Sequence, residues 1–508
     1  MAGGAGGLTR ETAAGLVRRS SQRIPANPAR VITALFVPGQ EGFDLQESRT
    51  SSVLTRVLAL DDDEAQDALD DVMERCDHRH RHLVQTFERN ADVVAERLDP
   101  GLVLSTTRRL LVGATFTNEY AIEGAALCNP SMVAHPDQSG LPTDSLRFVM
   151  STRAVGEGHR SSIGFRTGNV DASGSVTFDE PPQFAVGAQT SAAALDAAVF
   201  RGELDRMRGG GEDADYIFDA LGEHFTRAEL DQRLHRLDAQ PATRQHGKRT
   251  TALIRKIADR TYSARFADET ALSERVLLPA MSAECNGMED ARFVRLVEED
   301  GTTRYYATYT AYDGADIRQQ LLETSDFQNF TSSPLTGPAA ANKGLALFPR
   351  RIGGRFVALS RSDRESNTIT SSVNLHHWGR GLPCQVPARA WEMLQLGNCG
   401  SPIETDAGWL ALTHGVGPMR TYGIGAALLD LDDPTHVVGQ LRRPLLRALP
   451  DEQDGYVPNV VYSCGALLHN GTLVLPYGIG DSAIGVATVP VAALLADLTG
   501  TSRVGVSS

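Results

Sequence analysis

Residues 291–312, ARFVRLVEEDGTTRYYATYTAY, carry the pattern that decides the fold. An apolar run beginning at Phe293 is followed by Asp300-Gly301 and then by an alternating run rich in tyrosine and threonine. Short runs of β-branched and aromatic residues on either side of Asp-Gly are typical of a β-hairpin. This stretch therefore predicts two antiparallel strands joined by a tight turn.

The same plan recurs along the chain. It is found in LALFPRRIGGRFVALSR, SPIETDAGWLALTHGV and CGALLHNGTLVLPYG, and an earlier copy with a longer polar turn is NPSMVAHPDQSGLPTDSLRFVMSTR. From Gly301 to Gly354, Gly408 and Gly471 the steps are 53, 54 and 63 residues. A period near fifty with several strands in each unit is typical of propeller blades. Five hairpins therefore predict a mainly β protein, a five-bladed β-propeller.

Two regions interrupt this pattern and are predicted to be helical. One includes DDDEAQDALDDVMERCDHRHRHLVQTFERNADVVAERL, and the other includes SAAALDAAVFRGELDRM and RAELDQRLHRLDA. Both are poor in Gly and Pro and place Leu, Val and Met at helical spacings. We expect a mainly helical N-terminal extension (1–117), a propeller domain (118–500) with a helical insertion at about 190–275, and a flexible tail (501–508).

Composition and charge exclude several classes of protein. The chain has 508 residues, is 41% hydrophobic and carries a formal net charge of -14, which argues against non-specific binding to nucleic acid or anionic lipid. The N-terminal stretch has no apolar h-region, and no run approaches the length of a membrane span. The six cysteines form no CxxC pair. We expect a cytoplasmic protein with reduced cysteines and neither a nucleic-acid nor a membrane partner.

The candidates for a functional site are polar residues at the ends of the predicted inner strands, because a propeller brings those ends together. Asp290 comes just before an apolar strand, and Arg292 beside it is an equally plausible structural partner, since arginine pairs well with a carboxylate. His78 and His82 stand four residues apart in DHRHRH, but the acid of an HExxH motif is missing. We expect a solvated helical face there and no metal site.

Six stretches then occur in order: GMEDARF (287–293), LALFPRRIGGRFVALSR (345–361), WEMLQLGNCGSPIETDAGWLALTHGV (391–416), YGIGAALLDLDDPTHVVG (422–439), GYVPNVVYSCG (455–465) and LPYGIGDSAIGVA (475–487). Together they resemble the motifs of glycoside hydrolase family 130, which holds β-mannoside phosphorylases and β-1,2-mannosidases. The resemblance runs from about Asn129 to Ala487 and leaves the N-terminal region uncovered. It implies a five-bladed propeller, in agreement with the count of hairpins.

The resemblance also implies a reaction. The protein would be an inverting, glycosyltransferase-type β-mannoside phosphorylase with Asp290 as the catalytic acid, passing its proton through the 3-hydroxyl of the bound mannose. Inorganic phosphate would attack the anomeric carbon from the opposite face and give α-mannose 1-phosphate. An ordinary inverting glycosidase needs a second carboxylate to activate water, whereas phosphate is already an anion that needs cations to hold it. Phosphate is then a co-substrate of the β-mannoside oligosaccharide, and no cofactor is expected.

The phosphate pocket implied by the resemblance can be placed on this sequence. Its positions fall on Lys343, Arg361, His414 and Tyr422. Gln395 departs from the pattern, because phosphorylases of the family tend to have lysine there. A neutral amide weakens an anion site, so this position bears on whether the nucleophile is phosphate.

The mannose contacts implied by the resemblance fall on Asn129, Arg153 and Asp481. Glu289 belongs with this substrate-binding set, and together with Arg292 it is expected to hold the loop that aims Asp290.

Two alternatives remain open on the sequence. A β-1,2-mannosidase would use water activated by glutamates, for which Glu392 and Glu404 are the candidates. A non-catalytic propeller would bind glycans or organise partners. The N-terminal helices are candidates for covering the site or for building a homo-oligomer.

Overall fold

The computed structural model describes residues 13–38, 49–99, 101–206, 211–239 and 246–500, and the chain there is mainly β. The predicted tail at 501–508 lies outside the described residues. Among the helices of the described ranges, none has the length and apolar character needed to span a membrane.

The region before the first long hairpin combines helices with short strands. In chain order its elements are β1 (Arg18–Pro25), β2 (Val31–Leu35), α1 (Arg49–Ala59), α2 (Asp62–Cys76), α3 (Leu83–Ala95), α4 (Thr106–Thr115) and β3 (Thr117–Ala121). The helix α2 begins with a capping box, in which the side chains of Asp61 and Glu64 each accept a hydrogen bond from the other's backbone N–H. Leu54, Val94 and Leu111 share one buried apolar cluster, which holds α1, α3 and α4 together.

The remaining elements begin with the first long hairpin. They are β4 (Ala126–Ala134), β5 (Leu146–Val155), β6 (Ser161–Val170), β7 (Val176–Phe178), β8 (Val186–Gly187), β9 (Gln189–Ala192), β10 (Leu195–Asp196), α5 (Ala197–Arg206), α6 (Glu212–Phe218), β11 (His224–Phe225), α7 (Arg227–Asp238), α8 (His246–Ala258), β12 (Tyr262–Arg265), β13 (Arg275–Leu277), β14 (Gly287–Val297), β15 (Thr303–Tyr312), β16 (Ile317–Thr324), β17 (Asn329–Pro334), β18 (Ala346–Leu347), β19 (Phe356–Ser360), β20 (Asn367–Ser372), β21 (Leu382–Gln385), β22 (Gln395–Asn398), β23 (Ile403–Thr405), β24 (Gly408–Val416), β25 (Tyr422–Leu429), β26 (Val437–Gln440), β27 (Leu446–Arg447), β28 (Val461–Tyr462), β29 (Leu467–His469), β30 (Thr472–Ile479), β31 (Ala483–Pro490) and α9 (Val491–Leu498).

Each predicted hairpin is present as an antiparallel pair. The pairs are β4 with β5, β14 with β15, β18 with β19, β23 with β24, and β29 with β30. Further strands extend each pair into an antiparallel group. The first group, β4–β5–β6–β7, touches the second through a parallel pair between Gly287 and Ser161. The mainly β fold is confirmed, while its arrangement as a five-bladed propeller stays a prediction at this point.

The strand β1 adds an unpredicted element to the mainly helical N-terminal extension. It pairs antiparallel with β31, so residues near the start of the chain complete the sheet nearest its end. Its sequence, RRSSQRIP, is polar and mostly solvent-facing, without the apolar alternation that signals a strand. Only its long-range partner defines it, which is why the sequence pattern missed it.

The insertion after the first group is helical, as predicted, but it rises from a β-ribbon. The strands β9 and β12 at its two ends pair with each other, and β12 also pairs with β17 at the edge of the second group. Phe200, Phe218 and Leu234 share the buried cluster that holds its helices together. Arg260 joins it to the second group by contacting Glu203 at 2.5 Å and Gln320 at 2.8 Å.

The predicted helical face with His78 and His82 is wrong. His78 lies in a short 3-10 turn after α2, and His82 is the residue just before α3. The chain reverses between them, so four-residue spacing does not place them on one face. His82 instead contacts the carboxylate of Glu269 at 3.3 Å.

Candidate functional site

Asp290 lies at a β-bulge near the start of β14. The register with β15 shifts between Glu289 and Arg292, and the φ of Asp290 is +57°. This left-handed conformation is uncommon for a residue with a side chain and costs energy, and bulges commonly re-aim side chains beside functional sites. The strain singles out Asp290 as a residue whose direction matters.

A second bulge lies against the first. The register of β4 with β5 shifts between Cys128 and Ser131, and Asn129 within it has a φ of +50°. The hydroxyl of Ser131 accepts a hydrogen bond at 3.0 Å from the backbone N–H of Phe293, which ties the two strands together. The amide Nδ2 of Asn129 donates a hydrogen bond to the carboxylate of Asp290. Two bulges on neighbouring groups thus bring an amide and an acid into contact.

Two cations share a carboxylate beside Asp290. Glu289 accepts from Arg153 Nη2 at 2.6 Å and from Lys343 Nζ at 2.5 Å, one on each oxygen. A second nitrogen of Arg153 lies 3.8 Å from the carboxylate of Asp290. We call Asn129, Arg153, Glu289, Asp290 and Lys343 the acid group. Lys343 was predicted to hold phosphate, and the structure shows it paired with Glu289 in the acid group.

The charges around Asp290 set its protonation state. Burial by itself raises the pKa of this carboxyl, but Lys343, Arg153 and Arg292 outweigh it and bring the pKa down to about 2. Asp290 is therefore an anion at neutral pH among the protein's own charges. A role as proton donor requires that something entering the site raises this pKa.

Arg292 holds the backbone of the bulge rather than the carboxylate. Its guanidinium donates to the main-chain oxygen of Asp290 at 3.0 Å and to the hydroxyl of Tyr462 at 2.7 Å. The alternative of a simple Asp290–Arg292 ion pair is therefore wrong in its geometry. The fully buried arginine fixes the strained turn that aims Asp290, as was expected of its place in the loop.

Asp481 supplies a further carboxyl at the turn between β30 and β31. Its φ is +51°, and one of its buried carboxylate oxygens has no hydrogen-bond partner within the described ranges. Burial raises its pKa to about 6, while Arg153 and Arg420 act in the opposite direction. Asp481 and Asp290 therefore titrate far apart, and the charge of Asp290 contributes to the raised pKa of Asp481.

Arg361 and His414 meet on the other side of the site. His414 Nδ1 lies 3.0 Å from the main-chain oxygen of Asn398 and must donate its proton there, which leaves Nε2 to accept from Arg361 Nη1 at 3.1 Å. Burial, followed by the charge of Arg361, lowers the pKa of His414 well below its ordinary value. The predicted phosphate pocket included His414 as a cation, but the lowered pKa makes this histidine neutral.

A glycine makes this contact possible. A Cβ at Gly397 would lie 2.4 Å from the His414 ring and 3.1 Å from the Cδ atom of Arg361. Gln395 Nε2 lies 3.4 Å from the same histidine nitrogen, so this residue does face the pair. The ring of Tyr422 stacks at 6.2 Å from that of His414. We call Arg361, Gln395, His414 and Tyr422 the histidine group.

Tyr462 connects the two groups. Its ring lies edge-on to that of His414 at 4.8 Å, while its hydroxyl accepts from Arg292. Sequence reasoning did not single out Tyr462 or the Asn398 carbonyl that fixes the histidine tautomer. Both lie inside motifs quoted above, but no spacing rule marks a residue that acts only by orienting a neighbour.

Positive charge exceeds negative charge at the site. Five cationic side chains face three carboxylates, and they are Arg153, Arg292, Lys343, Arg361 and Arg420 against Glu289, Asp290 and Asp481. The chain as a whole carries -14. A local excess of cations on an acidic protein is suited to an anionic ligand.

The glutamates considered for water activation are engaged elsewhere. Glu392 is fully buried and accepts from the backbone N–H groups of Ala388 and Arg389 at 3.0 and 3.1 Å. Glu404 lies on strand β23, and its carboxylate pairs with Arg350 at 2.6 Å. Both carboxylates have structural partners in the fold, outside the acid and histidine groups.

Comparison with known proteins gives a consistent set of relatives. A family model for glycoside hydrolase family 130, described as beta-1,4-mannooligosaccharide phosphorylase, matches residues 248–499. That range contains Asp290 and the whole histidine group, whereas Asn129 and Arg153 precede it.

Two relatives from Thermoanaerobacter sp. (strain X514) match over about 220 residues. The chain is 35% identical to a 1,2-beta-oligomannan phosphorylase over 42% of this chain and 72% of that protein. It is 33% identical to a beta-1,2-mannobiose phosphorylase over 42% of this chain and 70% of that protein. Among solved structures, the beta-1,2-mannobiose phosphorylase of Listeria innocua in complex with beta-1,2-mannobiose covers 75% of this chain and 93% of its own, with 21% identity and a TM-score of 0.43.

Proposed function

Because this chain belongs to glycoside hydrolase family 130, we propose that it is an inverting phosphorylase that cleaves β-mannosides with inorganic phosphate. The products are α-mannose 1-phosphate and the shortened mannoside. A phosphate oxygen bonds to the anomeric carbon as the glycosidic bond breaks, and the departing sugar oxygen takes a proton that originates from Asp290. Mannose is held by Asn129, Arg153 and Asp481.

One observation carries the choice of phosphate as nucleophile. Arg361 forms no ion pair with a carboxylate within the described part of the chain, and the group it contacts is the neutral ring of His414. A half-buried guanidinium with a neutral neighbour retains its full charge and its capacity to bind an oxyanion through two parallel hydrogen bonds. We assign the phosphate to this position, with Tyr422 beside it and Lys343 reaching it from the acid group.

Phosphate binding also accounts for the protonation of Asp290. The carboxylate is ionised because three cations surround it. A phosphate dianion adds negative charge to the same neighbourhood and so opposes those cations. The nucleophile then raises the pKa of the acid that must act with it, and chemistry waits until both substrates are bound.

The glutamates considered for activating water give less support to water as nucleophile than Arg361 gives to phosphate. Hydrolysis with inversion needs a second carboxylate free to accept a proton from water. Glu392 and Glu404 are tied to backbone N–H groups and to Arg350. Hydrolysis and glycan binding without turnover are therefore outcomes of the test below, not competing proposals.

We propose that the antiparallel groups close into a five-bladed propeller, with the site where the innermost strands converge. The support is the placement of the buried apolar clusters, since each consecutive pair of groups shares one and the last group shares one with the first. Representative residues of these clusters are Phe165 with Phe293, Tyr306 with Phe356, Val357 with Trp409, Leu412 with Leu475, and Val474 with Phe148.

Two further expectations complete the proposal. The reaction as written balances without any cofactor, because phosphate supplies both the nucleophile and the charge. The six cysteines are all unpaired, which suits a reducing compartment and supports a cytoplasmic location.

The test is to follow isotope-labelled phosphate. Incubation of β-1,2-mannobiose with phosphate carrying ¹⁸O at all four oxygens should give α-mannose 1-phosphate that retains all four labels, because the bond that breaks is between the anomeric carbon and the glycosidic oxygen. Free mannose formed at the same rate with and without phosphate would establish hydrolysis. No product under either condition, with the mannoside still bound, would establish a binding protein.

A further inference from the structure

An exposed aromatic pair, His159 and Tyr456, has no part in the reaction described so far. Tyr456 is 49% exposed, and its hydroxyl lies 2.8 Å from Nδ1 of the exposed His159. Their ring centres are 5.8 Å apart at an interplanar angle of 33°, so the two rings form a nearly continuous surface. The two residues are far apart in the sequence, since their positions differ by 297.

The two loops that carry this pair continue from residues of the site. His159 lies in the turn that follows β5, four residues beyond Val155, where the strand that carries Arg153 ends. Tyr456 stands between Gly455 and Val457, and both neighbours lie against Gly480, the residue before Asp481. The loops that carry the pair therefore adjoin two residues assigned to mannose, Arg153 in sequence and Asp481 through Gly480.

The pair is held in place before any ligand arrives. Gly158 and His159 have φ values of +68° and +59°, and the turn is closed by a hydrogen bond from Gly156 N–H to the Arg160 oxygen at 3.0 Å. The hydroxyl of Tyr120 braces the same turn through the Arg160 oxygen at 3.2 Å. On the other side, Val457 N–H donates to the Gly480 oxygen at 2.9 Å. An exposed aromatic surface fixed from both sides is pre-organised for binding.

We propose that His159 and Tyr456 form the platform on which the leaving sugar of the β-mannoside stacks. This inference rests on the proposed phosphorolysis, because inversion places phosphate and the leaving sugar on opposite faces of the mannose. Phosphate is assigned to Arg361, so the leaving sugar belongs on the side of Arg153 and Asp481. The C–H groups of a pyranose face present an apolar surface that suits the negative face of an aromatic ring.

The reverse reaction separates this role from a structural one. With α-mannose 1-phosphate as donor and β-1,2-mannobiose as acceptor, Tyr456→Ala and His159→Ala should each raise the acceptor KM by about three- to tenfold. The donor KM should stay unchanged. Tyr456→Phe keeps the ring and loses only the hydrogen bond to His159, so it should remain near wild type. Tyr216→Ala, at a 42% exposed tyrosine on α6, is the matched control.

Two results would overturn the platform. One is an acceptor KM that stays at the wild-type value in both alanine variants while the wild type makes mannoside normally. The other is an equal rise of both KM values together with a lower melting temperature, which is the signature of a clip between two loops. Calorimetric titration covers the case in which the wild type shows no turnover. Tyr456→Ala should then weaken binding of β-1,2-mannobiose but not of mannose, and a wild type that binds neither sugar would refute both this inference and the proposed function.

Discussion

The acid group and the histidine group each contain an arginine and an amide side chain, but their charges are balanced differently. In the acid group two carboxylates, Glu289 and Asp290, face two cations, Arg153 and Lys343. In the histidine group Arg361 is the charged member, and its contact is with a neutral ring. The first group has its charge satisfied within the protein, whereas the second carries a charge that an incoming ligand can satisfy.

This difference in charge balance is the basis for proposing that the two groups bind different substrates. Internal ion pairs fix side-chain directions, which suits residues that must aim an acid at a sugar. A guanidinium without a carboxylate keeps its hydrogen-bonding capacity for an oxyanion. The central claim is therefore that the acid group binds and protonates the mannoside while the histidine group binds phosphate.

The largest expected effect comes from removing the acid. Asp290→Asn keeps the hydrogen bond from Asn129 feasible in shape but removes the transferable proton, and general acid catalysis is typically worth about 10² to 10⁴-fold. We expect kcat to fall by that factor with the melting temperature nearly unchanged. Asp300→Asn, in the hairpin turn after the same strand, is the control. Wild-type kcat in Asp290→Asn would remove this residue from the chemistry.

The next effect should separate the two groups. Arg361→Ala removes a charge-assisted contact with phosphate, and such contacts contribute about 1.5–3 kcal/mol, so the phosphate KM should rise by roughly 10- to 100-fold. The mannoside KM should change little, because Arg361 lies outside the acid group. Arg361→Lys should restore only part of the affinity, since lysine lacks the planar fork.

Arg350→Ala is the matched control for Arg361→Ala. It also removes an arginine, but one whose exposed ion pair with Glu404 on β23 lies outside the acid and histidine groups. A rise of both KM values in Arg361→Ala would erase the boundary drawn between the two groups.

The pH profile tests whether phosphate acts on the acid. The reaction needs protonated Asp290, so the rate falls as pH rises through the pKa of that carboxyl. The pKa is about 2 from the protein's own charges, and at an effective dielectric constant of about 20 each negative charge about 6 Å away raises it by about two. The rate should therefore persist to higher pH at saturating phosphate than at limiting phosphate, with the dianion concentration kept the same at every pH within each of the two series. An identical midpoint at both concentrations would separate the acid from the nucleophile.

The smallest expected effect is a gain at Gln395. This amide faces His414 and Arg361, at the position where the resemblance leads us to expect lysine. Gln395→Lys adds a cation to the histidine group, which should lower the phosphate KM by about two- to fivefold, the range expected for a partly solvated charge pair. Saturation kinetics in phosphate measure it directly. A higher phosphate KM in Gln395→Lys would place the anion away from this residue.

The sequence predicted those parts of the molecule that depend on local pattern. Turn residues and alternating runs located the five repeated hairpins, and the motif around Asp290 singled out the residue that the structure places at a bulge. Parts that depend on long-range pairing were missed or misassigned. The strand β1 is recognisable only from its pairing with β31, and Lys343 meets Glu289 across 54 positions.

The charge of His414 is the clearest case of what a sequence leaves out. A histidine in a phosphate-binding motif suggests a cation, but burial and the adjacent guanidinium keep this one neutral. The second cause acts because Gly397 has no side chain and lets Arg361, 53 positions away from His414, approach the ring. Protonation states follow from assembled surroundings, and residue type alone does not fix them.

The assignment of phosphate to the histidine group and mannoside to the acid group rests on phosphorolysis. The most direct test of phosphorolysis is the initial rate of β-1,2-mannobiose cleavage by the wild-type protein, measured from zero to saturating phosphate with products followed by ³¹P and ¹H NMR. The account predicts a rate that extrapolates to zero without phosphate, rises to saturation, and yields α-mannose 1-phosphate in equal amount to the mannose released from the reducing end. A full rate at zero phosphate, with two mannose molecules released per mannobiose, would contradict it.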